Sequence, residues 1–422
     1  MKTGPPKARV LFFDNLRTLM VLLVLVFHAG ASYGSIVAFW PYHDPKPSAI
    51  IDHTLPLLDV FMMSVLFFIS GYFCLASLQK NGGRRFLARK FRRLGVPWLV
   101  VTVLVLPVLD YIHHYTQAID SGLAPRRYGT HWWLSMKTLA GLSTGPMRMS
   151  AYLDMTEHFY QRYVWYLSLL LLFYVISWLL YKAWKRWRPA STPSVQGETS
   201  SNRPVYRTLV WVGLLSILLF AMSKFLLSSP ADPFDFVWFS LGNLIQFEAA
   251  KLAFYIPYFG LGVYAYANQW FKGGKNLGKP WVWGVISFLL LAVNLLVGKV
   301  LTSTAAPAVG IQLGYVVLYP LWTLSFLGLL VAFASRRWNT ARPPGRELAS
   351  HSYTMYLVHY LFVMTLPLLL RAWGGSALVK FGIVALATIL LSFGASRYIV
   401  KPYPRLVVMG LVGLNVLLAL IV

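Results

Sequence analysis

Long, continuous apolar runs separated by short polar segments dominate the pattern of this chain. Runs of about 17 to 25 residues recur along it, and each is long enough to cross about 30 Å of hydrocarbon as an α-helix. Because the runs are continuous rather than alternating, the pattern excludes a β-barrel. It predicts an all-α, polytopic transmembrane helical bundle with about 10–11 membrane spans, at residues 16–38, 55–78, 95–113, 161–181, 208–227, 243–267, 281–299, 310–334, 348–370 and 377–398.

The remaining segments complete the predicted organisation. Residues 1–405 form the predicted membrane-embedded bundle, and 406–422 is an extra apolar C-terminal segment of marginal length that either crosses the membrane or lies against the bundle. The polar, Ser/Pro-rich stretch 189–204 predicts a flexible cytoplasmic linker. Residues 114–160 form the longest outer loop, which is expected on the periplasmic side. Its histidine and tryptophan residues either cap an outer opening or anchor the loop in the membrane interface.

Composition and charge support a membrane protein. Of the 422 residues, 57% are hydrophobic and 12% are charged, against about 25% charged residues in soluble globular proteins. The net charge of +25 would suggest nucleic-acid binding in a soluble chain. With the N-terminus placed in the cytoplasm, however, 26 of the 38 basic residues fall in predicted cytoplasmic segments, as the positive-inside rule requires. The sequence therefore predicts a cytoplasmic N-terminus and a lipid bilayer, not a nucleic acid, as the partner.

Metal and disulfide chemistry have no signature in the sequence. The single cysteine, Cys74, lies inside an apolar run, which rules out an intrachain disulfide and a cysteine zinc site. No metal-binding motif of the H-E-x-x-H type is present. We therefore expect no metal cofactor.

The first candidate site residues are Arg17 and His28 on the first predicted span. They lie 11 residues apart, so a helix separates them by about 16 Å along its axis and by only about 20° around it. An ionisable residue within the membrane is by default a functional hypothesis. Arg17 is suited to an anionic head group, and His28, expected near mid-membrane, to a general base. The structural alternative is that Arg17 only obeys the positive-inside rule and His28 is a hydrogen-bonded bundle residue. Asp14 is placed to pair with Arg17.

A dense basic segment follows the second predicted span. Seven of the fourteen residues from 80 to 93 are Lys or Arg. The positive-inside rule explains their sign, but this density suits a polyphosphate ligand or anionic lipid head groups. Arg89, Arg92 and Arg93 are the candidate phosphate ligands, although Lys90 with Arg93 is an equally valid pairing.

Other polar residues lie within or beside the predicted spans. His359, with Tyr356 one turn earlier, lies about 16 Å into the ninth span by helical rise, the depth expected for His28. The two imidazoles are therefore either partners in one site or separate bundle residues. Asp59 and Asp110 either line an outer opening for an acceptor or bond helices together. Glu248 and Lys251 are expected to neutralise each other.

Five of these segments, taken in order, resemble the membrane proteins of acyltransferase family 3. The match comprises Asp14-Asn15-Leu16-Arg17 with His28, then FISGYF at 68–73, RLGVP at 93–97, WYL at 165–167 and SYTMYLVH at 352–359. The FISGYF and RLGVP segments are particularly similar to the glucan biosynthesis protein C branch. The sequence departs from the family pattern at Lys90, where an arginine is possible, and in the 406–422 tail.

The resemblance implies an acyl-CoA-dependent O-acyltransferase of the bacterial inner membrane. Acyl-CoA, as succinyl-CoA or acetyl-CoA, would donate the acyl group, and a hydroxyl of a periplasmic or surface glycan would accept it. Arg17, Arg89, Arg92 and Arg93 would bind the phosphates of CoA. His28 would be the general base, and His359 or Tyr356 would orient it or polarise the thioester. The alternative is a transporter of a glycan or lipid-linked saccharide, in which the same residues would line a pathway without chemistry.

Overall fold

The fold is seen in a computed structural model. It describes residues 10–37, 39–148, 154–187, 205–227, 237–271, 277–303, 308–340 and 343–421. The linker predicted at 189–204 lies outside the described residues. The helices, in chain order, are α1 (Leu11–Gly30), α2 (Ala49–Asn81), α3 (Gly83–Asp120), α4 (Tyr128–Ala140), α5 (Trp165–Trp187), α6 (Val205–Leu227), α7 (Leu252–Ala267), α8 (Pro280–Ser303), α9 (Val309–Arg337), α10 (Pro343–Leu369), α11 (Ala377–Val400) and α12 (Pro404–Ile421).

The helices confirm the predicted polytopic bundle. Within the described residues, ten helices are long and apolar enough to cross a membrane, including α12 from the apolar tail. The helix expected at 243–267 is shorter than predicted, because α7 begins only at Leu252 and has 16 residues. Helix α3 contains two π-helical turns, Phe91–Gly95 and Val101–Val105, the first within the basic segment. Inner and outer ends are named below according to the predicted cytoplasmic N-terminus.

A small antiparallel sheet was not expected from the apolar pattern. Strands β1 (Gly145–Arg148), β2 (Val237–Leu241) and β3 (Ile245–Glu248) pair in that order. The β2–β3 hairpin turns at Gly242 and Asn243, which both have a φ of +58°. Gly and Asn adopt this left-handed conformation most readily. The turn therefore interrupts an apolar stretch that otherwise resembles the start of a membrane helix.

Helices α2 and α7 pack with their backbones in close contact. A Cβ atom on Gly71 would collide with the carbonyl oxygen of Phe259, and one on Gly262 would collide with that of Phe68. Small residues let membrane helices approach in this way. The glycine of the FISGYF segment is thus needed for helix packing.

The first span ends earlier than predicted. Helix α1 stops at Gly30, and the next residues fold back over the outer end of the bundle before α2 begins. The backbone N–H of Asp44 donates to Ser32, and the Asp44 carboxylate makes a buried ion pair of 2.7 Å with Lys380 of α11. Residues 31–37 are small or apolar, so their composition resembles that of a span, although Ser35 and Ile36 are exposed.

We predict that Gly71→Ala destabilises the bundle. The added methyl group cannot fit against a backbone carbonyl, and overpacking of this kind costs about 1–3 kcal/mol. Gly260→Ala on α7 is the matched control, since a Cβ there meets nothing within 4 Å. Thermal unfolding of the purified protein in detergent should give a lower midpoint for Gly71→Ala only. Equal midpoints for the two variants would contradict the close packing.

We predict that Asp44→Asn loosens the segment that follows α1. The change leaves the ammonium group of Lys380 buried without its counter-ion, which costs about 3–5 kcal/mol. Asp120→Asn removes an exposed partner of Arg371 at 3.4 Å and should cost about 0–1 kcal/mol. Chemical denaturation measures the free energy of unfolding of both variants. If Asp44→Asn lowers it no more than Asp120→Asn does, the Asp44–Lys380 pair does not hold the segment.

Candidate active site

Two histidines from distant parts of the chain meet in the outer half of the bundle. Nδ1 of His28 on α1 lies 2.8 Å from Nε2 of His359 on α10. Nδ1 of His359 lies 2.6 Å from the backbone carbonyl oxygen of Tyr356. His28 is the third residue from the end of α1, so it lies near the outer end of this helix rather than at its middle.

These hydrogen bonds fix the position of each proton. A carbonyl oxygen only accepts, so Nδ1 of His359 must carry a hydrogen. The neutral ring of His359 then accepts at Nε2, and His28 must donate from its own Nδ1. The remaining nitrogen, Nε2 of His28, has a lone pair. It has no hydrogen-bond partner among the described residues and is not sealed in the interior.

Aromatic rings hold the His28 imidazole in place. The ring of Trp40 stacks on it with centroids 5.6 Å apart and planes at 13°, and Tyr360 meets it edge-on at 5.8 Å. Tyr163 packs edge-on against His359 at 5.2 Å. The sequence did not single out these three residues, because their positions depend on contacts between distant segments.

The hydroxyl group of Tyr356 makes a contact that the sequence did not predict. That hydroxyl donates to the backbone carbonyl of Tyr163, while the carbonyl of Tyr356 accepts from His359. The side chain thus joins α10 to the residues just before α5. Its backbone orients the second imidazole.

His28 lines a cavity of about 580 Å³ at the outer side of the bundle. This volume falls in the usual range for ligand sites, about 300–1,000 Å³. The walls are mainly aromatic and apolar. Five charged residues line the cavity as well: Asp59, Arg162, Lys224, Glu248 and Lys251. Burial raises the pKa of Tyr160, another lining residue, so its hydroxyl stays protonated and can donate.

The predicted pairing of Glu248 with Lys251 is present, with 2.8 Å between carboxylate and ammonium group. Lys251 also pairs with Asp59 of α2. That second contact joins residues 192 positions apart, a separation across which the sequence carries no signal. Asp59 therefore both bonds two segments together and lines the cavity.

Asp110 belongs to a buried polar cluster beside the cavity. Its Oδ1 lies 2.6 Å from the guanidinium of Arg162. Its Oδ2 lies 3.3 Å from Nε2 of His131, a residue of the long outer loop. Ligand atoms of Asp110, His131 and Asp154 lie within 4.8 Å of one another, close enough to surround a metal ion. However, the guanidinium of Arg162 already occupies the Asp110 carboxylate and opposes a second cation there. The cluster's visible role is to position Arg162 in the cavity wall.

The candidate phosphate ligands lie at the inner end. Arg17 pairs with Asp14 at 2.5 Å, as predicted, and its side chain is 32% exposed. Arg93 lies over the ring of Tyr353, and Lys90 lies 3.9 Å from the ring centre of Tyr174. The basic segment thus places Lys90 and Arg93 over aromatic rings of α5 and α10.

The other two arginines take different positions. The guanidinium of Arg89 hydrogen-bonds the side chain of Asn81. Arg89, Arg92 and Arg93 are all exposed, whereas Lys90 is half-buried. The π-helical turn that contains Arg92 and Arg93 shifts the helical phase at this point. Regular helical spacing therefore did not predict which residues face inward.

Comparison with known proteins agrees with the resemblance seen in the sequence. A family model described as an acyltransferase domain matches residues 10–397. The proteins named glucans biosynthesis protein C from Salmonella gallinarum and Salmonella paratyphi B are each 24% identical to this chain over 272 residues. The matched part covers 62% of this chain and 60% of each relative. No solved structure matches the chain.

The family match extends over nearly the whole chain and includes the segments that carry His28, the basic residues and His359. Among the described residues, ten helices are long and apolar enough for a multi-pass membrane protein. This protein therefore belongs to the acyltransferase family 3 membrane proteins.

Proposed function

We propose that this protein transfers an acyl group from cytoplasmic acyl-CoA to a hydroxyl group of a carbohydrate on the outer side of the bacterial inner membrane. The observation that carries this proposal is Nε2 of His28, which lies at the outer cavity and has no hydrogen-bond partner among the described residues. The names of the relatives point to a glucan as the carbohydrate. Succinyl-CoA and acetyl-CoA are the proposed donors.

His28 acts as the general base in this reaction. The acceptor hydroxyl gives its proton to Nε2 while its oxygen attacks the carbonyl carbon of the thioester. The carbon–sulfur bond then breaks, its electron pair leaves with sulfur, and His28 returns the proton to the CoA thiolate. His359 supports the protonated state, because its Nε2 accepts from His28 throughout. The face of Trp40 adds a cation–π interaction with the imidazolium ion.

The donor approaches from the inner end. Arg17, together with Arg89, Arg92 and Arg93 of the basic segment, binds the phosphates of CoA, which guanidinium groups do well. The hydroxyl groups of Ser70 and Tyr166 are 3.3 Å apart, and the ring of Tyr166 lies 6.3 Å from that of Tyr356. The long arm of CoA would pass this point to bring the thioester to His28, about 16 Å from Arg17 along α1.

We predict that His28→Ala lowers kcat for acyl transfer by about 10²–10⁴-fold, the usual contribution of a general base. Acyl-CoA binding should not change. His359→Gln keeps an acceptor near Nδ1 of His28 and should retain more activity than His359→Ala. His53→Ala, on the exposed start of α2, is the control and should transfer normally. Steady-state transfer with labelled acyl-CoA measures all four variants. Full activity of His28→Ala would rule out the base, and acceptor flux without any acyl transfer would favour a transporter.

We predict that Arg17→Ala raises the Kd for acyl-CoA by about 10–100-fold, the effect of losing a hydrogen bond from a charged group. Arg93→Ala should act in the same direction. Arg84→Ala, an exposed cation of the same basic segment, should leave binding within about a factor of three. Calorimetry on purified protein measures the three constants. Equal losses in all three variants would indicate general charge attraction instead of a phosphate site.

A further inference from the structure

The cavity that contains His28 has a second polar wall that the acyl-transfer steps do not use. This wall is built where α2 meets the β2–β3 hairpin and the turn after it. Asp59 comes from α2, Trp238 from β2, Glu248 from β3 and Lys251 from the following turn, and all four line the cavity.

Each carboxylate on this wall has one oxygen atom that Lys251 does not contact. Lys251 contacts Oδ2 of Asp59 and Oε2 of Glu248. Among the described residues, Oδ1 of Asp59 and Oε1 of Glu248 have no hydrogen-bond partner. The side chains remain 28% and 11% exposed, so a ligand can reach them. Ionised carboxylates only accept hydrogen bonds, and the wall therefore suits a ligand with hydroxyl donors.

The charges on the wall indicate a neutral ligand. Two carboxylates, Asp59 and Glu248, face two ammonium groups, since Lys224 lines the same cavity as Lys251. Arg162, the remaining cation of the cavity, is paired with Asp110. The wall thus carries no excess positive charge that would attract an acidic ligand.

Aromatic rings surround the same space. Trp238 meets Trp165 at 5.5 Å and Tyr160 at 5.4 Å, both at nearly right angles. All three rings line the cavity. Large ring surfaces bury apolar C–H groups, while nearby polar groups fix orientation. A sugar ring offers both features, with C–H groups on its faces and hydroxyl groups at its edge.

We propose that Asp59, Glu248 and Trp238 form the subsite that binds a neutral sugar unit of the acceptor and presents its hydroxyl group to His28. This inference rests on the proposed function, because it names the recognition site for the acceptor of that reaction. Asp59 and Glu248 accept hydrogen bonds from the sugar hydroxyls, and Trp238 packs against the ring. Lys251 holds the two carboxylates in position.

Equilibrium binding to the purified full-length protein in detergent tests the subsite without requiring catalysis. The probes are a short, labelled, neutral glucose oligosaccharide, the same oligosaccharide carrying a uronic acid, and acyl-CoA. Asp59→Asn leaves the Lys251–Glu248 pair intact, and Trp238→Phe keeps an aromatic ring. Asp120→Asn is the matched control, since Asp120 is exposed outside this cavity. Thermal unfolding verifies that each variant is folded. If Asp59→Asn does not fold, the binding measured for Trp238→Phe tests the subsite.

The neutral oligosaccharide should bind the wild type and Asp120→Asn alike, and at least about tenfold more weakly to the two wall variants. The acidic oligosaccharide should bind the wild type more weakly than the neutral one, and acyl-CoA should bind all variants equally. No binding of the neutral oligosaccharide to folded wild type, or equal binding to every variant, would overturn the subsite. Failure of acyl-CoA to bind any variant would instead overturn the proposed function, while the saccharide measurements would still decide the subsite.

Discussion

The hydrogen bond from His28 to His359 is the constraint on which the site depends. It joins α1 to α10 across 331 residues of sequence, and it exists in one protonation pattern because the carbonyl of Tyr356 permits only one. The same pattern leaves the lone pair of His28 accessible from the cavity. The second imidazole thus orients and supports the first, as a carboxylate does in the Ser-His-Asp arrangement.

The rest of the bundle keeps that hydrogen bond in place. It also separates the inner side, with its basic residues, from the outer side, with its cavity. Close packing joins α2 to α7, and the buried Asp44–Lys380 pair fixes the outer end, where Trp40 stacks on His28. Basic residues gather at the inner end, whereas the cavity with its aromatic and ionic walls is at the outer end. A donor and an acceptor can therefore approach one imidazole from opposite sides.

Much of this arrangement was predictable from local sequence, and the remainder depends on distant contacts. Continuous apolar runs predict the helices, and three-residue spacing predicts the Asp14–Arg17 pair. The end of α1 was missed because residues 31–37 are small or apolar although they form a turn after the helix. The Gly242-Asn243 turn was the available signal for the hairpin. The Lys251–Asp59 contact and the stacking of Trp40 on His28 join separate segments. A single sequence does not show which distant residues come into contact.

The most direct test of the account is an experimental structure of the protein with a non-cleavable thioether analogue of acyl-CoA. The account predicts the phosphates at Arg17 and Arg93, and the acyl carbon about 3–3.5 Å from where a hydroxyl oxygen bonded to Nε2 of His28 would lie. An analogue bound with its phosphates at the outer end, or with its acyl group far from His28, would contradict it.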